Sequence, residues 1–304
     1  MDFESTLSTV AQQLPEELDD VITAAVSYIP EDLANVIRHA SGYLPAQLDI
    51  VAIAKFMLYF AAASIVLGLL GRLILGKRSG LNCSLSSAMG ILAIYALTVI
   101  VYTFKPWNLE FLLSPLPFVT FSGEYLIVLP LHDTAFPALC TEVLSLVILS
   151  FLFHLIDSII PRGESLPGWY ILRFLTVILA MVVHLGVSWA FRTYLPAVLV
   201  TYAPAILLVL LAVMLFAGIL GLVLGFVIAV ANPFLGAMCT FFFSSVVGKH
   251  LSKAVFSSAI LCAVVYLMGY FGYTVIPITA AALMTYIPLV LVLLLLWYII
   301  GHVL

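Results

Sequence analysis

From Thr193 to Leu304 the chain runs 112 residues with only two charged side chains, Lys249 and Lys253, and two histidines, His250 and His302. A helix or strand at a water-facing surface needs a polar face. This half of the chain offers almost none, so the medium around it must be hydrocarbon. There every backbone N–H and C=O has to be satisfied internally, which favours helices for the spanning segments. The sequence therefore predicts an all-α, polytopic helical membrane protein, with about eight transmembrane helices preceded by short amphipathic helices.

Composition points the same way. The chain is 64% hydrophobic and 9% charged, against roughly 45–50% and about 25% in soluble domains. Residues 1–50 hold nine acids and one base, Arg38, whereas the other 254 residues hold six acids and ten bases. No basic patch with interleaved aromatics occurs, so nucleic acid is not an expected partner. Cys83, Cys140, Cys239 and Cys262 form no CxxC pair and read as small core residues. No basic segment precedes the first apolar run near Ile50, so targeting is expected to rest on the first transmembrane helix.

Three regions follow. Residues 1–49 form an acidic amphipathic repeat of period 15, in which Pro15, Pro30 and Pro45 open the units and Leu18, Leu33 and Leu48 follow three residues later. Proline suits a first helical position, and acids in the first turn favour the helix dipole. Helices of about 15–28 and 30–43 are expected to lie on the membrane or the bundle, as a docking surface, a lid or a simple brim. Residues 50–192 form a first membrane half, with spans of about 50–75, 84–104, 138–160 and 168–192. The stretch 105–137, with Pro106, Pro115, Pro117 and Pro130, is expected to be irregular and half-inserted around 110–130. Residues 193–304 form a second half. Asn232-Pro233 divides its uncharged run 204–248 into about 204–230 and 233–248, and spans of about 254–273 and 279–301 complete it. Pro277 marks a turn. Trp107, Trp169, Trp189 and Trp297 fall near the expected span ends, where indoles prefer to sit.

Basic residues in short loops orient the chain. Arg72, Lys77, Arg78 and Arg162 belong inside, which puts the acidic N-terminal region and 105–137 outside. Lys249, His250 and Lys253 fall outside if 204–248 crosses twice, and inside if it holds one span and a re-entrant piece. The sequence leaves both open.

Ionisable groups within spans are costly and each needs a role. Glu142, His154 and Asp157 lie on the third span; Arg173, His184 and Arg192 lie on the fourth. Folding these spans into a hairpin about residue 165 sets Asp157 level with Arg173 as an ion pair. It also sets His184 about one turn from Glu142. Glu142, His184, His154 and Asp157 form either a proton path or a set of structural pairings whose ends reach toward the interface. His154 and Asp157 with His184 are the one grouping with a hint of metal-ligand spacing; no metal or other cofactor is expected. Gly218, Gly221, Gly225 and Gly236 fit close helix packing or a pore lining. No GxSxG, HExxH or GxGxxG motif occurs. Ser244-Ser245 and Ser257-Ser258 have no acid close in sequence. His132, Asp133 and Glu124 are the least implausible groups for an intramembrane enzyme, and no enzyme activity is expected.

Residues 212–256 carry an apolar span with the step Gly225-Phe226, a second apolar span, and the polar connector Gly248–Lys253. That segment resembles the first half of the colicin V production protein family. Residues 60–101, a span, a short basic glycine turn and a span beginning with small residues, look like its second half, in reverse order. Leu224 stands where members usually have a basic residue, and members usually have about four spans. The resemblance implies a multi-span inner-membrane protein linked to peptide-toxin export and envelope upkeep, without a catalytic site.

The leading expectation is a non-enzymatic membrane protein of transport or export, channel-like or accessory. The alternatives are a proton-coupled solute carrier using Glu142 and His184, and a scaffold whose acidic N-terminal helices hold a basic partner. The expected location is a bacterial inner or plasma membrane, as a multi-pass protein. Its expected partners are the lipid bilayer and either another membrane protein or a second copy of the chain.

Overall fold

The computed structural model describes residues 62–66, 68–70, 73, 80–104, 116–122, 125–132, 134–161, 163, 165–194, 196–270, 275–278 and 280–303, all within one compact unit, Ala61–Leu304. The N-terminal repeat of residues 1–49 lies outside the described residues, as do most of the first expected span, residues 105–115, and Arg72, Lys77, Arg78, Glu124, Asp133 and Arg162.

Among the described residues, seven α-helices, two π-helical stretches and three short strands have complete bounds, and residues 62–66, 68–70 and 73 are helical as well. α1 is Gly80–Phe104, α2 Phe136–Ile159 and α3 Leu166–Tyr194. α4 is Pro196–Ala231 and α5 Pro233–Phe241. A π-helical stretch, Phe242–Gly248, joins α5 to α6, Lys249–Tyr270, and α7 is Ala280–Tyr298. Among the described residues, five helical stretches are long and apolar enough to cross a membrane: Asn82–Thr103, Phe136–Ile159, Leu166–Phe191, Thr201–Ala231 and Pro233–Tyr270. A shorter apolar stretch covers Tyr286–Gly301. This is the make-up of a helical membrane protein.

α1 is the bundle's axis. Ala88, Met89, Ile91, Ala93, Ile94 and Thr98 are all fully buried, and together they point in every direction around the helix. A helix that is apolar all round belongs in an interior, and α7, α6, α3 and α2 all pack on α1. With no water to bind, its hydroxyls fold back: Ser87, Thr98 and Thr103 donate to the carbonyls of Cys83, Ile94 and Val99, each at 2.8 Å. Such i−4 bonds satisfy a hydroxyl without a partner helix.

One expected break is found where the sequence put it, and two parts of the chain depart from the expected pattern. The run 204–248 is divided at Asn232, whose extended backbone caps α5 while its side chain accepts from the N–H groups of Phe234 and Leu235 at 3.0 and 3.2 Å. The spans expected at 233–248 and 254–273, however, form one continuous helix, Pro233–Tyr270 of 38 residues. Gly248-Lys249-His250-Leu251-Ser252-Lys253 contains no proline, and one glycine weakens a helix without ending it. The expected boundary between those two segments is therefore absent, and the expected span 50–75 lies mostly outside the described residues. Second, the stretch expected to be irregular is partly a sheet. β1 (Val119–Ser122), β2 (Tyr125–Val128) and β3 (Val275–Pro277) pair antiparallel in that order. Pro277 sits on an edge strand, where a missing N–H is tolerated.

Contacts set the levels along the bundle. Ser87 of α1 meets His154 of α2, Ser86 of α1 meets the Trp297 carbonyl of α7, and Ser257 of α6 meets His154. One end therefore gathers the start of α1, the end of α2, the start of α3, the Lys253–Ser258 turn of α6 and the end of α7. The sheet sits at the other end. There the Tyr95 hydroxyl donates to the Pro117 carbonyl at 2.8 Å, and Tyr102 stacks on Phe121 with centroids 4.2 Å apart.

α4 runs beside α2, with Ala203 packed on Cys140 and Leu144. The chain then returns along α4, with Gly248 back beside Ala217. The turn at Asn232 thus lies about 20 Å beyond that level, at 1.5 Å per residue. Lys249 and Lys253 fall at the end that holds Asp157 and Arg173, the end the loop charges assign to the inside.

Candidate functional site

α2 is the helix on which the ionisable groups meet their partners, and it sorts them into three places. Positions 142, 154 and 157 span about 22 Å of helix; 142 and 157 turn toward α3 at opposite ends, and 154 turns toward α1 and α6.

Near its start, Glu142 accepts a hydrogen bond from the backbone N–H of Phe118 at 2.7 Å. Phe118 is fully buried and has φ of 61°, a left-handed conformation that a bulky side chain rarely adopts. Glu142 and His184 also line one cavity of about 70 Å³ between α2 and α3, together with Thr141, Ser145 and Ser188. His184 is 1% exposed. A carboxylate, an imidazole and three hydroxyls around a space that size provide hard oxygen ligands and a proton acceptor.

Twelve residues on, His154 enters a serine cluster instead. Its Nε2 lies 3.2 Å from Ser257 Oγ and its Nδ1 3.4 Å from Ser87 Oγ. The Ser257 hydroxyl donates to the Lys253 carbonyl at 2.7 Å and the Ser87 hydroxyl to the Cys83 carbonyl at 2.8 Å, so each serine oxygen is open to accept the one N–H of a neutral imidazole. In this geometry Ser257 is not activated as a nucleophile, because its proton already rests on its own helix. Ser150 and Ser258 bond across the same α2–α6 seam at 3.0 Å. The cluster clamps three helices together.

Asp157 faces α3 and forms an ion pair with Arg173, which is 2% exposed. Arg173 also donates to the carbonyls of Ile160 and Pro161 at 3.3 and 3.1 Å. Those carbonyls are left without helical partners where α2 ends, and a cation there is favourable. The guanidinium lies 5.5 Å from the Trp297 ring centre, and Trp297 packs on Trp169 and Phe153 at 5.6 and 5.3 Å. Trp169 and Trp297 are thus buried inside the bundle end, not spread along a lipid interface as sequence position suggested. Their faces are taken by the cation and by each other.

The four residues of the proton path are therefore not continuous. Glu142 and His184 share a cleft, while His154 and Asp157 turn to separate partners. The same divergence keeps His154, Asp157 and His184 from converging on a metal.

The glycines form a different locus. A Cβ on Gly225 would strike the Thr240 side chain and lie 2.9 Å from the Gly236 carbonyl; one on Gly236 would lie 2.5 Å from the Gly225 carbonyl. Gly221 has Thr240 and Phe243 close by, while Gly218 has open space. The Thr240 hydroxyl has the Gly221 and Gly236 carbonyls both at 3.1 Å. Gly221, Gly225 and Gly236 let α4 and α5 touch backbone to backbone; Gly218 takes no part.

Sequence reasoning missed the serine cluster and Phe118. The Ser84, Ser86 and Ser87 triplet opening an otherwise apolar span was the available signal for the first. Nothing local announces a left-handed phenylalanine. Comparison with known proteins finds no matching family, no matching curated protein and no matching solved structure.

Proposed function

We propose that this chain is a non-enzymatic, multi-pass membrane protein of transport or export, with the Glu142–His184 cleft as its polar locus. The observation that carries the reading is the sharing of one small cavity by a carboxylate and a histidine inside apolar helices. Ionisable groups at membrane depth are expensive and tend to mark ion or proton routes. Within this class the proton-coupled carrier is the sharper form, since carboxylate and histidine side chains build the proton relays of transporters. The packed axis along α1 favours a route at the α2–α3 seam over one through the bundle centre. The resemblance of residues 212–256 and 60–101 to the colicin V production protein family fits the same class, and with it a bacterial inner membrane. The finer span count, near the expected eight, belongs to this reading too.

The test is proton flux in proteoliposomes holding the full chain, read with a lumenal pH dye under an imposed gradient. Glu142→Gln keeps size and removes the titrating group, so flux should fall to the level of empty vesicles. Undiminished flux in that variant removes the cleft from the transport path.

A further inference from the structure

Glu142 has two jobs at once. Its carboxylate lines the α2–α3 cleft, and one of its oxygens holds the N–H of Phe118 at 2.7 Å. Phe118 joins the sheet end to α2. Its carbonyl accepts from Leu129 N–H at 2.8 Å, the residue before it accepts from Tyr95, and the residue after it begins β1. Leu116, Phe118, Val119, Leu126 and Val128 are all buried, so this strand pair is packed down over the bundle end. A left-handed aromatic residue is held there against its own preference. The bond to an ionised carboxylate is a stronger clamp than one to a neutral group.

We propose that the cleft binds a small monovalent cation, a proton or a sodium ion, on Glu142, and that loading it loosens Phe118 and with it the β1–β2 cap. The cation would take the carboxylate together with the Ser145, Ser188 and Thr141 hydroxyls as oxygen ligands, or would simply protonate the carboxylate. Either one withdraws negative charge from the oxygen that accepts the Phe118 N–H. The titratable groups around Glu142 are His184 of α3, in the same cleft, and Tyr95 of α1, close enough to feel its charge, with Cys262 of α6 beside Tyr95. Tyr95 itself bonds the Pro117 carbonyl, so its hydroxyl reports on the same cap. The inference rests on the transport reading for its purpose, but its geometry stands apart from it.

The experiment is amide hydrogen exchange by mass spectrometry on the full chain in lipid nanodiscs, following peptides over 116–128. It is run across the carboxylate titration range without sodium, and then at fixed neutral pH with sodium replacing a bulky organic cation. After correction for intrinsic exchange, loading should speed exchange of the cap on the order of tenfold, while α1 peptides stay unchanged. A response to pH alone assigns the proton; a response at fixed pH assigns the metal ion. No response to either in the wild-type chain overturns the proposal, with no variant needed. Glu142→Gln should hold the cap at its loaded rate under all conditions, and a Gln variant that still responds also overturns it. Ser188→Ala, which leaves the Phe118 bond in place, should weaken only a sodium response. Flux without a cap response sinks this inference and leaves transport standing; a cap response without flux does the reverse.

Discussion

The α4–α5 contact makes a prediction whose size can be worked out in advance. Replacing Gly236 by Ala adds one methyl group. It would meet the Gly225 carbonyl oxygen and the Ala229 Cβ, each at 2.5 Å, and the Ala229 Cα at 2.7 Å. These are backbone or backbone-fixed atoms on the facing helix, so none can rotate away, and the helices must part. Overpacking of this kind costs about 1–3 kcal/mol. Alanine also gains about 1 kcal/mol in helix propensity over glycine. Gly218→Ala gains the same propensity but adds its methyl to open space. Subtracting one variant from the other cancels propensity. Gly236→Ala should therefore be less stable than Gly218→Ala by about 1–3 kcal/mol. The assay is unfolding by SDS titration in mixed micelles, followed by tryptophan fluorescence, for wild type and both variants. Equal midpoints for the two would refute the close α4–α5 approach at Gly225 and Gly236.

Other outcomes follow from the rest of the bundle. Arg173→Ala strands Asp157 and empties the aromatic pocket, so it should cost about 3–5 kcal/mol; the double variant Asp157→Leu, Arg173→Met should recover most of that in the same titration. Ser150 and Ser258 should show a coupling of roughly 0.6 kcal/mol in a double-alanine cycle, the usual size for an interhelical bond in a membrane protein. A value near zero would mean the hydroxyls serve only their own helices. Ser257→Ala should lower stability by about 1 kcal/mol and leave proton flux intact, whereas Glu142→Gln should abolish flux. Loss of flux in Ser257→Ala would show that the serine cluster carries more than a clamp.

Lipid as the solvent was legible from the chain alone. Apolar length and the near absence of charge after Thr193 suffice for it, because no arrangement of those side chains could satisfy water. The breaks at Asn232-Pro233 and before Leu166 were legible for a local reason as well, since proline and a capping side chain act on their own turn of backbone. The β1–β2 pair was present in the sequence as Val-Thr-Phe and Tyr-Leu-Ile-Val around Gly123-Glu124, a short glycine-led hairpin signal, which the proline-rich surroundings obscured.

What only tertiary structure decided is which face each group on α2 turns to which neighbour. Helical spacing gives Glu142, His154 and Asp157 their rotations about one axis, but not the identity of the helix standing at each rotation. That depends on how α1, α3 and α6 share the space around α2. It depends equally on backbone-to-backbone contact at Gly225 and Gly236, which is an agreement between two distant surfaces. The left-handed Phe118 is of the same kind: the packing on both sides of it imposes a conformation its own chemistry disfavours. Solvent is a property of composition, whereas partnership is a property of shape, and only the folded chain contains the second.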